Sequence, residues 1–153
     1  VTGVRRVLFR SPFCRIPTLS DEEGLIVARG THAYAVMNLY PYNPGHLLVC
    51  AFRHVADLTD LTEEERHEIT DLSAHAMKVV RKVSKADGFN LGMNQGAISG
   101  AGVAAHIHQH IVPRWKNDSN FFPIIAETKA LPKLLGEVQR DVTGGWNELF
   151  GNA

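Results

Sequence analysis

The sequence is poor in cysteine: Cys14 and Cys50 are the only two, and they lie far apart in the chain. That excludes the disulfide framework of a small secreted domain. Cys50 falls in the apolar run Leu47-Leu48-Val49-Cys50-Ala51 and reads as a small buried hydrophobe. Long apolar runs are also missing. None approaches the roughly 20 residues of a membrane span, and no cleavable signal peptide is apparent. A cytoplasmic protein with no membrane partner is expected. Excess charge of either sign is absent as well, since 16 Lys and Arg balance 16 Asp and Glu. A broad basic surface for nucleic acid is excluded. Any anion site must be assembled locally from amides, imidazoles and a few side chains. The chain shows no internal repeat, low-complexity tract or interdomain linker. At 153 residues and 44% hydrophobic content it is long and apolar enough for one domain with a core.

Residues 1–11 stand apart. They match nothing downstream and resemble the translation of a sequencing-library adapter, so a non-native segment is expected there. The stretch 12–153 is expected to be a single domain, truncated at its N-terminus. Within it, Leu25 to Arg29 and Ala33 to Leu39 read as two strands joined by the Gly30-Thr31 turn. Tyr40-Pro41-Tyr42-Asn43-Pro44-Gly45 is too rich in turn formers for strand or helix and reads as a stiff, ordered loop. Leu47 to Ala51 is the third strand. Thr62 and Glu65 have the spacing of a capping box. Ile69, Leu72, Ala76, Val79, Val80 and Val83 then follow as one helical stripe, with Gly88 expected to end the helix. His67 on its polar face and His75 at the stripe's edge read as structural. Phe89 to Asn94 and Ala104 to Trp115 read as strands four and five, separated by a glycine-rich loop over Gln95 to Gly102. Leu131, Leu134, Leu135, Val138 and Val142 form a second helical stripe, with Pro132 in its first turn and Gly144-Gly145 expected to stop it. The expectation is an α+β fold: an antiparallel five-stranded sheet, one long helix and a C-terminal helix. The helices need one sheet face to cover, which leaves the other free to carry a site.

The most informative stretch is His106-Ile107-His108-Gln109-His110-Ile111-Val112-Pro113. A strand sends alternate side chains to opposite faces, so His106, His108 and His110 are expected on one face. Imidazoles beside an apolar tail are costly unless their nitrogens find partners. A packed or solvent-facing row, a metal site and a phosphate-handling row all fit the histidines alone. The neighbours favour the last. Asn38 lies shortly before His46, with the Pro-Gly loop between them. Asn94-Gln95 opens a glycine-rich loop whose amides can approach an anion closely.

Taken in this order, Asn38 to His46 and His106 to Trp115 resemble the motifs of the histidine-triad (HIT) nucleotide hydrolases and transferases. They look most like the branch that includes bacterial diadenosine tetraphosphate phosphorylases. Gln109 departs from the family pattern, where that place is usually apolar. The resemblance implies cleavage of dinucleoside polyphosphates at the α-phosphate through a nucleotidyl-histidine intermediate, with phosphate or water as acceptor. A nucleoside phosphoramidate hydrolase and a non-catalytic nucleotide-binding protein are the alternatives. It makes His108 the nucleophile, flanked by His106 and His110, with His46 orienting the row. It assigns Asn38 to the ribose and Phe13, Ile16 and Leu39 to the base. Asn94, Gln95 and the amides near Gly102 fall to the phosphates, and Trp115 is a candidate wall of the site. Gly102 and Val103 stand where some relatives place Ser or Gln. No cofactor is implied for the chemistry. A structural zinc is implied for relatives with two cysteines and two histidines. Here Cys14, His54 and His106 match three of those ligands, and Ser11 stands in the place of the fourth, so the zinc site is incomplete. The resemblance also implies a homodimer acting on a small nucleotide.

Overall fold

A computed structural model describes residues 8–118 and 134–151. Five antiparallel strands form one sheet: β1 (Ile26–Arg29), β2 (Ala33–Met37), β3 (Leu47–Ala51), β4 (Gly88–Met93) and β5 (His108–Arg114). Their order across the sheet is β1-β2-β3-β5-β4. Two one-turn helices, α1 (Pro12–Arg15) and α2 (Asp21–Gly24), precede β1. Each starts on a serine cap: Ser11 accepts from the Cys14 amide and Ser20 from the Glu23 amide. The long helix α3 (Glu63–Ser84) opens on the expected capping box, in which Thr62 and Glu65 satisfy each other's backbone N–H. It stops earlier than expected. Lys85 adopts the left-handed conformation at φ 56°, and Gly88 begins β4 instead of ending the helix.

The C-terminal helix α4 (Leu135–Phe150) runs straight through Gly144-Gly145. That corrects the expected stop. Gly145 is buried against Val79 and Val83 of α3, where a side chain would not fit, so it serves close helix packing. Leu131 and Pro132 lie outside the described residues. The fifth strand begins at His108, not Ala104, because residues 102–105 form turns and Ile107 donates its amide to the Val55 carbonyl at 2.6 Å. His67 is exposed beside Glu63, and His75 stacks on Phe150 at 3.9 Å, both far from the histidine row in the chain and outside its contacts.

Every residue of β2 and β3 is buried, so both sheet faces are covered. On one face Ala33, Ala35, Met37, Leu47, Val49, Ala51 and Ile111 pack with Ile69, Ala76, Val79 and Val142 of α3 and α4. On the other, Tyr34, Val36, Leu48 and Cys50 pack with Phe13 of α1. Antiparallel pairing aligns side chains of one face across strands. Register sets Tyr34 beside Cys50 and Cys50 beside His108. It likewise sets Val36 beside Leu48 and Leu48 beside His110. The histidines therefore continue an apolar face. Gln109 pairs with Val49 on the helix-covered side, half-buried, and its amide donates to the His110 carbonyl at 3.0 Å.

Candidate active site

A cavity of about 510 Å³ opens on the face opposite the two long helices. Phe13, Ile16, Asn38, Leu39, Asn94 and Gly102 line it, together with His108 and His110. These are residues the sequence marks, brought from five separate segments. The cavity also has a lining the sequence does not mark, chiefly Val36 and Leu48 from the strands and Tyr40 and Tyr42 from the loop. Alternation along β2 and β3 could have found the first two; nothing local points to the tyrosines' side.

The histidines divide into two that face the cavity and two that lie behind it. His108 and His110 line it; His46 and His106 are fully buried. Their protons follow from their partners. The His106 carbonyl can only accept, so His108 donates through Nδ1 at 2.9 Å. A neutral ring has one N–H, which leaves a lone pair on His108 Nε2. The Tyr42 amide can only donate, and it reaches His46 Nδ1 at 3.1 Å. His46 must then carry its proton on Nε2, which lies 3.0 Å from His110 Nδ1. His110 is in turn left with an N–H at Nε2. His46 is held neutral: burial, then the nearby His110 and His108, pull its pKa down from 6.5 to about 4. Burial, then His108, also lowers the pKa of His110.

His106 corrects an expectation. It does not line the cavity, because both ring nitrogens are occupied elsewhere. Nε2–H donates to the Ala51 carbonyl at 2.8 Å, and Nδ1 lies 2.9 Å from Ser11 Oγ and 3.5 Å from Cys14 Sγ. What it offers His108 is its backbone carbonyl. Phe13 braces the pair, its ring centroid 4.8 Å from that of His108 and 5.7 Å from that of His106. The buried Tyr34 hydroxyl holds Phe13 by donating to its carbonyl at 2.8 Å.

Two further expectations change. Trp115 is outside the cavity lining. It packs against the helix-side core and donates its indole N–H to the Ser84 carbonyl at 3.1 Å. Strand alternation explains it, since odd positions such as Ile107 and Ile111 face the helices. Gln95 also stands outside the cavity lining, its side-chain oxygen accepting from the Leu58 amide at 2.8 Å.

Behind the row, ligating atoms of Cys14, His54 and His106 lie within 4.8 Å of one another. Cys14 Sγ is 3.2 Å from His54 Nδ1. Ser11 Oγ lies 3.3 Å from the same sulfur, at the remaining corner. His106 has the arrangement typical of a metal ligand, with one nitrogen donating to a backbone carbonyl and the other presenting a lone pair. Three of these donors fit a zinc ion; a serine hydroxyl is a weak fourth. Such an ion would tie α1 to the loop after β3 and the segment just before β5, a structural role.

Comparisons with known proteins identify the family and the fold. The HIT domain profile matches residues 21–117. The chain is 50% identical over 135 residues to the AP-4-A phosphorylase of Mycobacterium tuberculosis, covering 88% of this chain and 69% of that protein. It is 39% identical over 84 residues to the asymmetrical bis(5'-nucleosyl)-tetraphosphatase of Schizosaccharomyces pombe, covering 55% of this chain and 46% of the relative. Among solved structures, a zinc-bound histidine triad family protein from Mycobacterium smegmatis superposes with a TM-score of 0.72 at 25% identity, over 90% of this chain and 93% of the other. A histidine triad nucleotide-binding protein from Sulfolobus tokodaii gives 0.74 at 25% identity, over 92% and 97%. With that profile spanning most of the chain and a relative 50% identical over 135 residues, the chain belongs to the HIT domain family.

Proposed function

We propose that this protein is an enzyme that cleaves dinucleoside polyphosphates of the diadenosine tetraphosphate type. His108 is the nucleophile and phosphate or water the acceptor. One observation carries the reading: His108 spends its N–H on the His106 carbonyl and keeps the Nε2 lone pair for a cavity large enough for a nucleotide. In the first step that lone pair attacks the α-phosphorus. A P–N bond forms, and the bond to the rest of the polyphosphate breaks. In the second, phosphate or water takes the nucleotidyl group and frees the imidazole. His110, with its Nε2–H, donates to oxygens of the reacting phosphate. Asn38 takes the ribose hydroxyls. Phe13, Ile16 and Leu39 take the base, and Asn94 and the amides near Gly102 take phosphate oxygens.

The names of the two relatives support this substrate class, and the M. tuberculosis protein's name supports phosphate as acceptor. The reading includes a homodimer. It is supported by β4, an edge strand among the described residues, whose Asn90, Leu91 and Gly92 are exposed and whose outer backbone edge pairs with no described strand, a place for a partner strand. It includes a cytoplasmic setting, supported by two unpaired cysteines. No helix among the described residues is long and apolar enough to cross a membrane.

The test is product analysis with diadenosine tetraphosphate, with and without inorganic phosphate. Phosphorolysis yields ADP and ATP only when phosphate is present; hydrolysis yields AMP and ATP without it. Consumption of adenosine phosphoramidate but not the dinucleotide would replace this reading by the phosphoramidate one. Binding without turnover of either would make the protein a nucleotide-binding module.

A further inference from the structure

We propose that Asn43 is a positioning residue: it clamps the loop before β3 onto the end of β5, and thereby holds the Tyr42 amide on His46. The role of His110 is that of the proposed function above. The proton arrangement assigned to Asn43 is independent of it.

The argument starts with the turn. The His46 amide donates to the Asn43 carbonyl at 3.1 Å, with Pro44 and Gly45 between them and Gly45 at φ 80°. Proline first and a left-handed glycine second describe a type II turn. The turn alone fixes the backbone around His46 but not its placement against the neighbouring strand. The Asn43 side chain supplies that. Its Nδ2 donates to the Pro113 carbonyl at 2.8 Å and to Asp118 Oδ2 at 2.9 Å, which uses both amide hydrogens. Asp118 is itself held by Arg114, whose Nε and one terminal nitrogen lie 2.6 and 2.7 Å from its two oxygens. Arg114 also reaches Asn90 Oδ1 on β4 at 2.7 Å. The loop is thus pinned to the far end of the strand that carries His108 and His110.

What the pin controls is an imidazole proton. The Tyr42 amide precedes Asn43 directly and is the donor that makes His46 Nδ1 an acceptor. His46 Nε2–H then meets His110 Nδ1, and the proton of His110 is left on Nε2, on the ring that lines the cavity. If the loop slides by a fraction of an ångström, the Tyr42 amide leaves His46. Its ring can then take either tautomer, and the order of donors along the relay is no longer imposed.

The experiment compares the wild type with Asn43→Ala and Asn43→Gln. Long-range ¹H–¹⁵N spectra of the imidazoles read the tautomer of each histidine, and steady-state kinetics with diadenosine tetraphosphate read kcat and KM apart. In the wild type both His46 and His110 carry their proton on Nε2. In Asn43→Ala the His46 signals move toward mixed tautomers. At the same time kcat falls by about tenfold or more, while KM stays within about twofold, as for a misaligned group that does not bind substrate. Asn43→Gln, which keeps both amide donors on a longer arm, restores part of the wild-type pattern. Unchanged tautomers in Asn43→Ala overturn the proposal, even if the melting temperature drops, because that outcome makes Asn43 merely structural. Should Asn43→Ala not fold, Asp118→Ala removes one of the two acceptors and must shift the His46 signals in the same direction; no shift overturns the proposal. A wild type that does not turn over the dinucleotide refutes the proposed function, while the spectra still decide the role of Asn43.

Discussion

His46 Nε2 lies 3.0 Å from His110 Nδ1, and because the Tyr42 amide donates to His46 Nδ1 at 3.1 Å, a neutral His46 carries its proton on Nε2 and donates it across this contact. His46 faces His110, His108, the Asn38 amide and the Tyr42 ring, none of them an anion, and it is fully buried. Its pKa falls from 6.5 to about 4, first through burial and then through His110 and His108. Below pH 6.5 the unfolded chain takes up a proton that the folded chain refuses until about pH 4. Stability is therefore full above 6.5 and declines as the pH falls toward 4. His106 and His110, whose pKa values are also lowered chiefly by burial, act with the same sign. Urea denaturation between about pH 7 and about pH 5 should show the midpoint falling. His46→Gln, which cannot titrate, should show a shallower fall; an equal slope would remove His46 as the source.

With His108 as the proposed nucleophile, His108→Ala should lower turnover by at least about 10³-fold, since the proposed P–N bond forms at its Nε2. Nucleotide affinity should stay within a few-fold, because Phe13, Ile16 and Asn38 line the cavity independently. Calorimetric binding and single-turnover kinetics check the two halves. Rapid acid-free quenching of the wild type should trap a nucleotidyl adduct by mass spectrometry, on His108 and on no other histidine.

Adjacent glycines in α4 should respond oppositely to alanine. A Cβ at Gly145 would meet Val83 Cγ1 at 2.8 Å and Val79 Cγ1 at 3.2 Å, while one at Gly144 meets nothing within 4 Å. Gly145→Ala should cost about 1–3 kcal/mol by overpacking the α3–α4 contact. Gly144→Ala should gain up to about 1 kcal/mol from helix propensity. Denaturation midpoints of the two variants check the sign.

Ser11→Cys should tighten zinc binding by at least about tenfold, because a thiolate replaces a hydroxyl at the fourth corner. The hydroxyl now contacts Cys14 Sγ and His106 Nδ1 at 3.3 and 2.9 Å. Competition with a chromophoric chelator reads the affinity, and the rise of melting temperature with added zinc reads the coupling to folding. Equal affinities in the two proteins would place the ion elsewhere.

Much of this molecule is legible along the chain because its signals are local. The period of two in His106 to Val112, the capping box at Thr62 and the stripe from Ile69 to Val80 each depend on neighbours a few residues away. They determine the strands, the long helix and the common face of His108 and His110. The errors share a different cause. Gly144-Gly145 reads as a stop because glycine weakens a helix, yet packing against Val79 and Val83 retains it. Trp115 and Gln95 read as site residues by proximity in sequence, but the alternation of β5 and the Leu58 amide take them elsewhere. His106 reads as a phosphate neighbour, and the Ala51 carbonyl and Ser11 turn its ring inward. The sequence alone thus determines which residues share a face and which chemistry they can perform. Only the tertiary structure decides which nitrogen of each imidazole bears the proton, because that depends on donors and acceptors supplied by distant segments: the Tyr42 amide for His46, and the carbonyls of Ala51 and His106 for His106 and His108.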